Sequence, residues 1–143
     1  MESTAEIVEV LGGSKAIGGR VRDSEGLRRR IRDGLPYASY EHVALLLAVS
    51  LKELGEVLDL PKSTRVRRKQ GLLKPTESDR LVRVARVVAL ARHVLGSAER
   101  ASAWMQRPNR ALGGETPLRL LDTEVGEQLV EDVLGRLEHG VIG

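Results

Sequence analysis

Between Asp59 and Lys74 the sequence carries six cations, Lys62, Arg65, Arg67, Arg68, Lys69 and Lys74, against a single carboxylate. Guanidinium and ammonium groups at that density neutralise phosphates and donate hydrogen bonds to base edges. Ser63 and Thr64 stand at the front of the run, where a hydroxyl can meet a base edge or a phosphate. Arg65 and Arg68, one helical turn apart, can each grip a guanine edge with both arms, and Val66 must then face inward. Lys69 and Lys74 suit phosphates. A solvated helix face usually alternates in sign to form i,i+4 pairs. Here no acid falls between Asp59 and Glu77, which favours the nucleic-acid reading over the solvated one.

Catalytic chemistry lacks its parts. His42, His93 and His139 are far apart and none sits in an HExxH spacing, so no metal site is expected. His93 reads as a helix-end histidine near Leu95. There is no cysteine, which excludes a disulfide framework, a thiolate zinc site and a cysteine nucleophile. No P-loop, GxGxxG or nucleophile elbow occurs. Gly12-Gly13 and Gly18-Gly19 are loop glycines with no strand before them. With one Trp, two Tyr and no Phe, the chain lacks the aromatic platform of single-strand binders. The sequence reads as a non-enzyme that needs no cofactor.

These cations need elements to position them. The chain has 143 residues, 41% hydrophobic and 30% charged, enough for one domain or two very small ones. Its net charge of +3 is unevenly spread. Residues 1–58 sum to −1, residues 59–110 to +9 and residues 111–143 to −5. A basic middle followed by an acidic end suggests two surfaces with two partners. Met1 to Gly13 is acidic and polar, unlike a signal peptide. The longest uncharged apolar run, Val43 to Leu51, is far short of the roughly 20 residues of a membrane span. A cytoplasmic location and no membrane partner are therefore expected.

No run alternates with period 2, and apolar residues recur with helical spacing, so an all-α fold is expected. The first helix is placed at Ala5–Leu11, a basic one at Ser24–Asp33 and a third at Ser39–Val49, with Val43, Leu46 and Leu47 buried. Ser50 and Glu53 have capping-box spacing before a helix Leu51–Leu58. Asp59-Leu60-Pro61 is a turn, and a basic helix runs from Lys62 to Gln70, closed by Gly71 as a C′ glycine. Leu51 to Gln70 thus has the dimensions of a helix–turn–helix. The longest helix is placed at Glu77–Leu95, with Leu81, Val84, Val88, Ala91 and Leu95 buried and Arg80, Arg83 and Arg86 on another face. Ala98–Gln106 carries Trp104, read as a core residue. Arg107 to Gly114 is a loop. Thr116-Pro117 opens a short helix to Leu121. Asp122 or Thr123 caps a last helix to Glu138, with Leu129, Val130, Val133, Leu134 and Leu137 inward. This gives a helix–turn–helix module over 1–75, a connecting helix over 76–96 and a C-terminal helical module over 97–143.

The stretch from Trp104 through Arg107-Pro108-Asn109-Arg110-Ala111-Leu112-Gly113-Gly114 to Pro117-Leu118, with Leu121 to Gly126 and His139-Gly140-Val141, resembles the Xre/MbcA/ParS-like antitoxin family. That family's toxin-binding domain carries a W…pN…LGG…P…L…G pattern. Ser63-Thr64, Arg67-Arg68, Gly71-Leu72-Leu73 and Asp79-Arg80-Leu81 are similar to its Xre-type helix–turn–helix and linker helix. The resemblance covers about residues 45–143 and leaves the first 40 open as a dimer contact, a brace or an arm. It implies an antitoxin of a type II toxin–antitoxin system. The partner would be a RES-domain toxin from the same operon, one that consumes NAD⁺ or transfers ADP-ribose from it. The antitoxin would cover that toxin's active-site entrance and repress its own promoter, binding double-stranded operator DNA as a homodimer. Asn109, Leu112, Gly113, Gly114, His139, Gly140, Val141 and Ile142 are the toxin-binding candidates. A plain turn between two helices is an equally open reading of Asn109, Gly113-Gly114 and Pro117. The acidic set Glu115, Asp122, Glu124, Glu127, Glu131, Asp132 and Glu138 is either a solvated face or a match for a cationic cleft that holds a pyrophosphate. The alternative function is a stand-alone helix–turn–helix regulator whose C-terminal module binds a ligand or another protein.

Overall fold

The computed structural model describes residues 2–140. It is all-α. Helices α1 (Thr4–Val10), α2 (Gly13–Ala16), α3 (Ser24–Asp33), α4 (Tyr37–Leu47), α5 (Leu51–Leu58), α6 (Lys62–Arg68), α7 (Pro75–Leu95) and α8 (Ala98–Met105) are followed by a 3₁₀ turn, Arg110–Leu112. Helices α9 (Pro117–Leu120) and α10 (Glu124–Glu138) complete the order. The ends of the expected helices hold to within two residues. The four-residue α2 and the 3₁₀ turn were not expected.

Helix α7 organises the rest. Leu81, Val82, Val84, Ala85, Val87, Val88, Ala89 and Ala91 are all buried, which leaves little of its circumference for solvent and marks a core helix. It packs against α1, α3, α5, α8 and α10. The expected single stripe is thus too narrow, because neighbours approach α7 from several sides. Its start also lies earlier than Glu77. Pro75 supplies the first helical position, where a missing N–H costs nothing, and the Glu77 carboxylate accepts from the Lys74 N–H at 2.8 Å.

The apolar faces of α1 and α4 are consumed within the chain. Ile7, Val8, Val10, Val43, Ala44 and Leu47 all join the same core. Ser39, inside α4, donates its hydroxyl to the Leu11 carbonyl at 2.7 Å. Leu46, expected to be buried, is only half-buried, while Leu45 beside it is 80% exposed.

Helix α6 ends at Arg68, short of Gln70. The left-handed residue is Gln70 (φ 65°), not Gly71. The cause lies downstream. Tyr37 N–H donates to the Gly71 carbonyl at 2.9 Å, and Leu73 N–H to the Leu35 carbonyl at 2.8 Å. This antiparallel bridge between Pro36 and Leu72 pulls residues 71–73 off the helix axis and ties the exit of α6 to the exit of α3.

Candidate nucleic-acid interface and C-terminal surface

Helix α5 starts where the Ser50 hydroxyl accepts from the Glu53 N–H at 3.0 Å. Leu54 and Leu58 are fully buried. The turn then uses Asp59 in the left-handed region (φ 57°), a conformation that Asp tolerates better than most residues. Leu60 N–H folds back to the Gly55 carbonyl at 2.7 Å. A Cβ on Gly55 would lie 2.7 Å from the Leu60 carbonyl oxygen, so the tight turn requires glycine there. The sequence reading passed over Gly55, although a lone glycine inside an apolar helix is a signal of close approach.

Helix α6 presents a different face from the one expected. Thr64 is buried and Val66 is 67% exposed, which reverses the inward placement of Val66. The cause is the anchoring of the two arginines beside it. Arg65 donates from Nη1 to the Leu60 carbonyl at 2.9 Å. Arg68 donates from Nε and Nη2 to the two Glu77 oxygens at 3.0 and 3.2 Å. Arg68 is therefore a strut between α6 and α7, and Arg65 a clamp on the turn. Burial pushes the Glu77 carboxyl up, but the Arg68 hydrogen bonds and the Lys74 N–H outweigh it and hold it below the ordinary carboxylate range. Lys62, Ser63, Arg67, Lys69 and Lys74 are exposed. Arg67 bends its guanidinium to the Thr64 hydroxyl at 3.3 Å.

The C-terminal segment folds on a loop closed by Asn109. Its side-chain oxygen accepts from the Ala111 N–H at 3.0 Å, its own N–H donates to the Glu115 carbonyl, and its carbonyl accepts from Leu112 and Gly114. Gly113 and Gly114 take φ of 69° and 86°, a region that L side chains avoid, and both are exposed. Leu112 is instead buried and anchors the loop from beneath. His139 and Gly140 are exposed at the end of α10. Val141 and Ile142 lie outside the described residues.

The corner into α10 is tight. Thr123 caps the helix by accepting from the Gly126 N–H at 2.9 Å. A Cβ on Gly126 would sit 1.7 Å from the Leu120 carbonyl oxygen. The expected acidic face loses one member. Glu127 is buried and pairs with Arg86 at 2.7 Å and with Arg83 at 3.5 Å. Arg83 also donates to the Leu121 carbonyl. The arginines expected on a separate face of α7 thus fasten α10. Burial and the neighbouring Glu127 charge raise the Glu131 pKa. Leu129, expected inward, is 48% exposed and lies one turn from Val125, which is 72% exposed. Val130, Val133 and Leu134 already fill the inner face. Trp104 is half-buried against the core. His93 lies in the last turn of α7, as expected, and its Nε2 sits 3.2 Å from Glu138.

The C-terminal segment and the helix–turn–helix are tied together directly. Arg119 of α9 pairs with Glu56 of α5 at 3.0 Å. Ser102 of α8 and Gln106 just after it both donate to the Leu47 carbonyl at the end of α4, at 2.7 and 2.5 Å. Among the described residues no group of three or more His, Cys, Asp or Glu could hold a metal ion. No helix there is long and apolar enough to cross a membrane.

Two family models match the chain. Residues 26–86 match the antitoxin Xre-like helix-turn-helix domain, and residues 90–140 match the antitoxin Xre/MbcA/ParS C-terminal toxin-binding domain. The first match starts well before residue 45, so α3 and α4 belong to the matched domain rather than to an unassigned arm. The chain is 33% identical over 114 residues to the antitoxin Xre of Yersinia enterocolitica, covering 78% of this chain and 77% of that protein. It is 40% identical over 74 residues to the antitoxin Xre of Photorhabdus laumondii, about half of each chain. A Sphingobium protein named Prs ADP-ribosylating antitoxin is 26% identical over 122 residues, 77% of this chain and 76% of that one.

Proposed function

The chain belongs to the Xre antitoxin family, and on that premise we propose that it neutralises a RES-domain toxin of its own operon by covering the toxin's active-site entrance. We propose also that it represses that operon by binding operator DNA. Its work is binding, with no chemistry of its own. The observation that carries this reading is the pairing of two unlike exposed surfaces on one core. One is the cationic face of α6; the other is the acidic and apolar face of α10 with the Asn109 loop.

On the DNA side, Lys62, Ser63 and Arg67 face the bases and Lys69 and Lys74 hold phosphates. Arg65 and Arg68, first read as base readers, instead fix the helix, and Thr64 packs beneath it. On the toxin side, Asn109 holds the loop that presents Gly113 and Gly114, Leu112 anchors it, and His139 and Gly140 lead into Val141 and Ile142. Glu115, Asp122, Glu124 and Asp132 are exposed there and complement a cleft that binds the NAD⁺ pyrophosphate. The name of the Sphingobium relative joins an antitoxin to ADP-ribosylation, which supports that substrate class for the toxin.

A homodimer on two half-sites about one DNA turn apart follows from the single recognition helix, since one such helix reads only a few base pairs. The inner apolar faces of α1 and α4 are used by the chain's own core, and of their large apolar side chains Leu45 is the one left exposed to a dimer contact. Co-expression with the product of the adjacent reading frame tests the proposal. A complex that survives purification is expected. Two proteins that elute separately, with the toxin still active, would overturn it.

A further inference from the structure

Helix α6 advances about 100° per residue. Thr64 and Arg68, one turn apart, mark its inner edge. Val66 stands diametrically opposite, with Lys62 and Lys69 to one side of it and Ser63 and Arg67 to the other. A β-branched apolar side chain, 67% exposed, thus occupies the centre of a face whose other members are cationic or hydroxylic. Solvent gives no reason for a valine there. Two methyl groups can neither hydrogen-bond nor neutralise a phosphate, so they contribute only apolar contact. In the major groove the base edges offer one apolar group, the thymine C5 methyl. The cations around Val66 match the phosphates that flank such a groove.

We infer that Val66 is a specificity-determining residue that reads a thymine methyl in the operator. This rests on the reading of α6 as the recognition helix. Lys62, Ser63 and Arg67 then address the neighbouring base edges, and Val66 supplies a preference that none of them can.

The test begins with a site selected by the full-length protein from a pool of random DNA duplexes. Each thymine of that site, with its symmetry mate where the site is palindromic, is replaced by deoxyuridine, which removes the methyl alone. Affinities are measured for the wild type and for Val66→Ala. One thymine position should show a loss of about fourfold per half-site with the wild type, comparable to one buried methylene, hence about 16-fold when both symmetry mates are replaced, and no loss with Val66→Ala. The inference is overturned if every uracil duplex binds like its parent, or if Val66→Ala suffers the same loss. It is also overturned if Val66→Ala binds thymine and uracil duplexes equally weakly and sediments as a smaller species, which would put Val66 between protein copies. If the pool yields no site at all, the DNA-binding reading falls with it. A salt-sensitive site without a methyl effect removes Val66's role and leaves that reading standing.

Discussion

Arg68 and Glu77, nine residues apart and on different helices, form a two-pronged ion pair with side chains only 13% and 8% exposed. The pair joins α6 to α7, the helix on which the C-terminal segment also rests. Removing one partner of a buried pair leaves the other charge uncompensated, at a cost of about 3–5 kcal/mol. Arg68→Ala should lower stability by that order in urea unfolding, and Arg68→Ala/Glu77→Ala should recover part of the loss. An unchanged unfolding midpoint with lost DNA binding would return Arg68 to the bases.

The same pair sets an acid response. Although burial alone would raise the Glu77 pKa, Arg68 and the Lys74 N–H lower it from 4.5. A depressed carboxyl stabilises the fold above its unfolded pKa and loses that contribution as pH falls through the folded value. The stability gap between wild type and Glu77→Gln should therefore be widest near pH 7 and narrow below about pH 4.5. A gap independent of pH from 7 to 3 would contradict the assignment.

Glu131 carries the opposite sign. Burial first, then the Glu127 charge, raise its pKa from 4.5. An acid raised in the fold is harmless while protonated and costs stability once pH climbs through its folded value. Glu131→Gln should therefore unfold at a higher urea concentration than wild type at pH 7. That advantage should fade as the pH is brought down through the carboxylate range. A less stable Glu131→Gln at pH 7 would show that its contacts outweigh its charge.

The proposed DNA contacts of α6 divide into base reading and phosphate contact, and the two can be told apart. Arg67→Ala should cost about 1–3 kcal/mol of affinity and relax specificity at one position. Lys69→Ala should weaken all sequences alike and reduce the salt slope by about one. Quantitative mobility shifts across a salt series distinguish the two. Identical behaviour of both variants would mean that Arg67 also meets only phosphate.

The helices were legible in the sequence because their signals are local. Ser50 with Glu53, Pro117 after Thr116, and the glycines after Leu95 and Glu138 all act within one turn. The faces were less legible, because neighbours distant in the chain decide them. Val66 was read inward because Arg65 and Arg68 were turned outward toward bases, yet Glu77 turns Arg68 inward and carries Val66 round to solvent. Glu127 was grouped with surface acids because its partners, Arg83 and Arg86, lie some forty residues upstream. Leu112 was read as a loop residue among the toxin-binding candidates, but the short 3₁₀ turn rolls it beneath the loop. Gly55 and Gly126 mark close backbone approaches that appear only once the facing carbonyl is placed. The C-terminal pattern that suggested an antitoxin was legible as a motif, since its Asn109, Gly113 and Gly114 are fixed by turn geometry.

Toxin-dependent loss of NAD⁺, followed while the antitoxin is titrated in, tests the proposed neutralisation most directly. Full-length protein should stop the loss at a fixed stoichiometry. Protein ending at His139, which lacks Val141 and Ile142, should need a large excess, since each apolar side chain contributes about 1.5–3 kcal/mol when fully buried. Its DNA binding through α6 should be unchanged. NAD⁺ consumed at an undiminished rate with full-length protein in excess would contradict neutralisation by occlusion, and equal protection by the shortened protein would remove the chain end from the inhibitory surface.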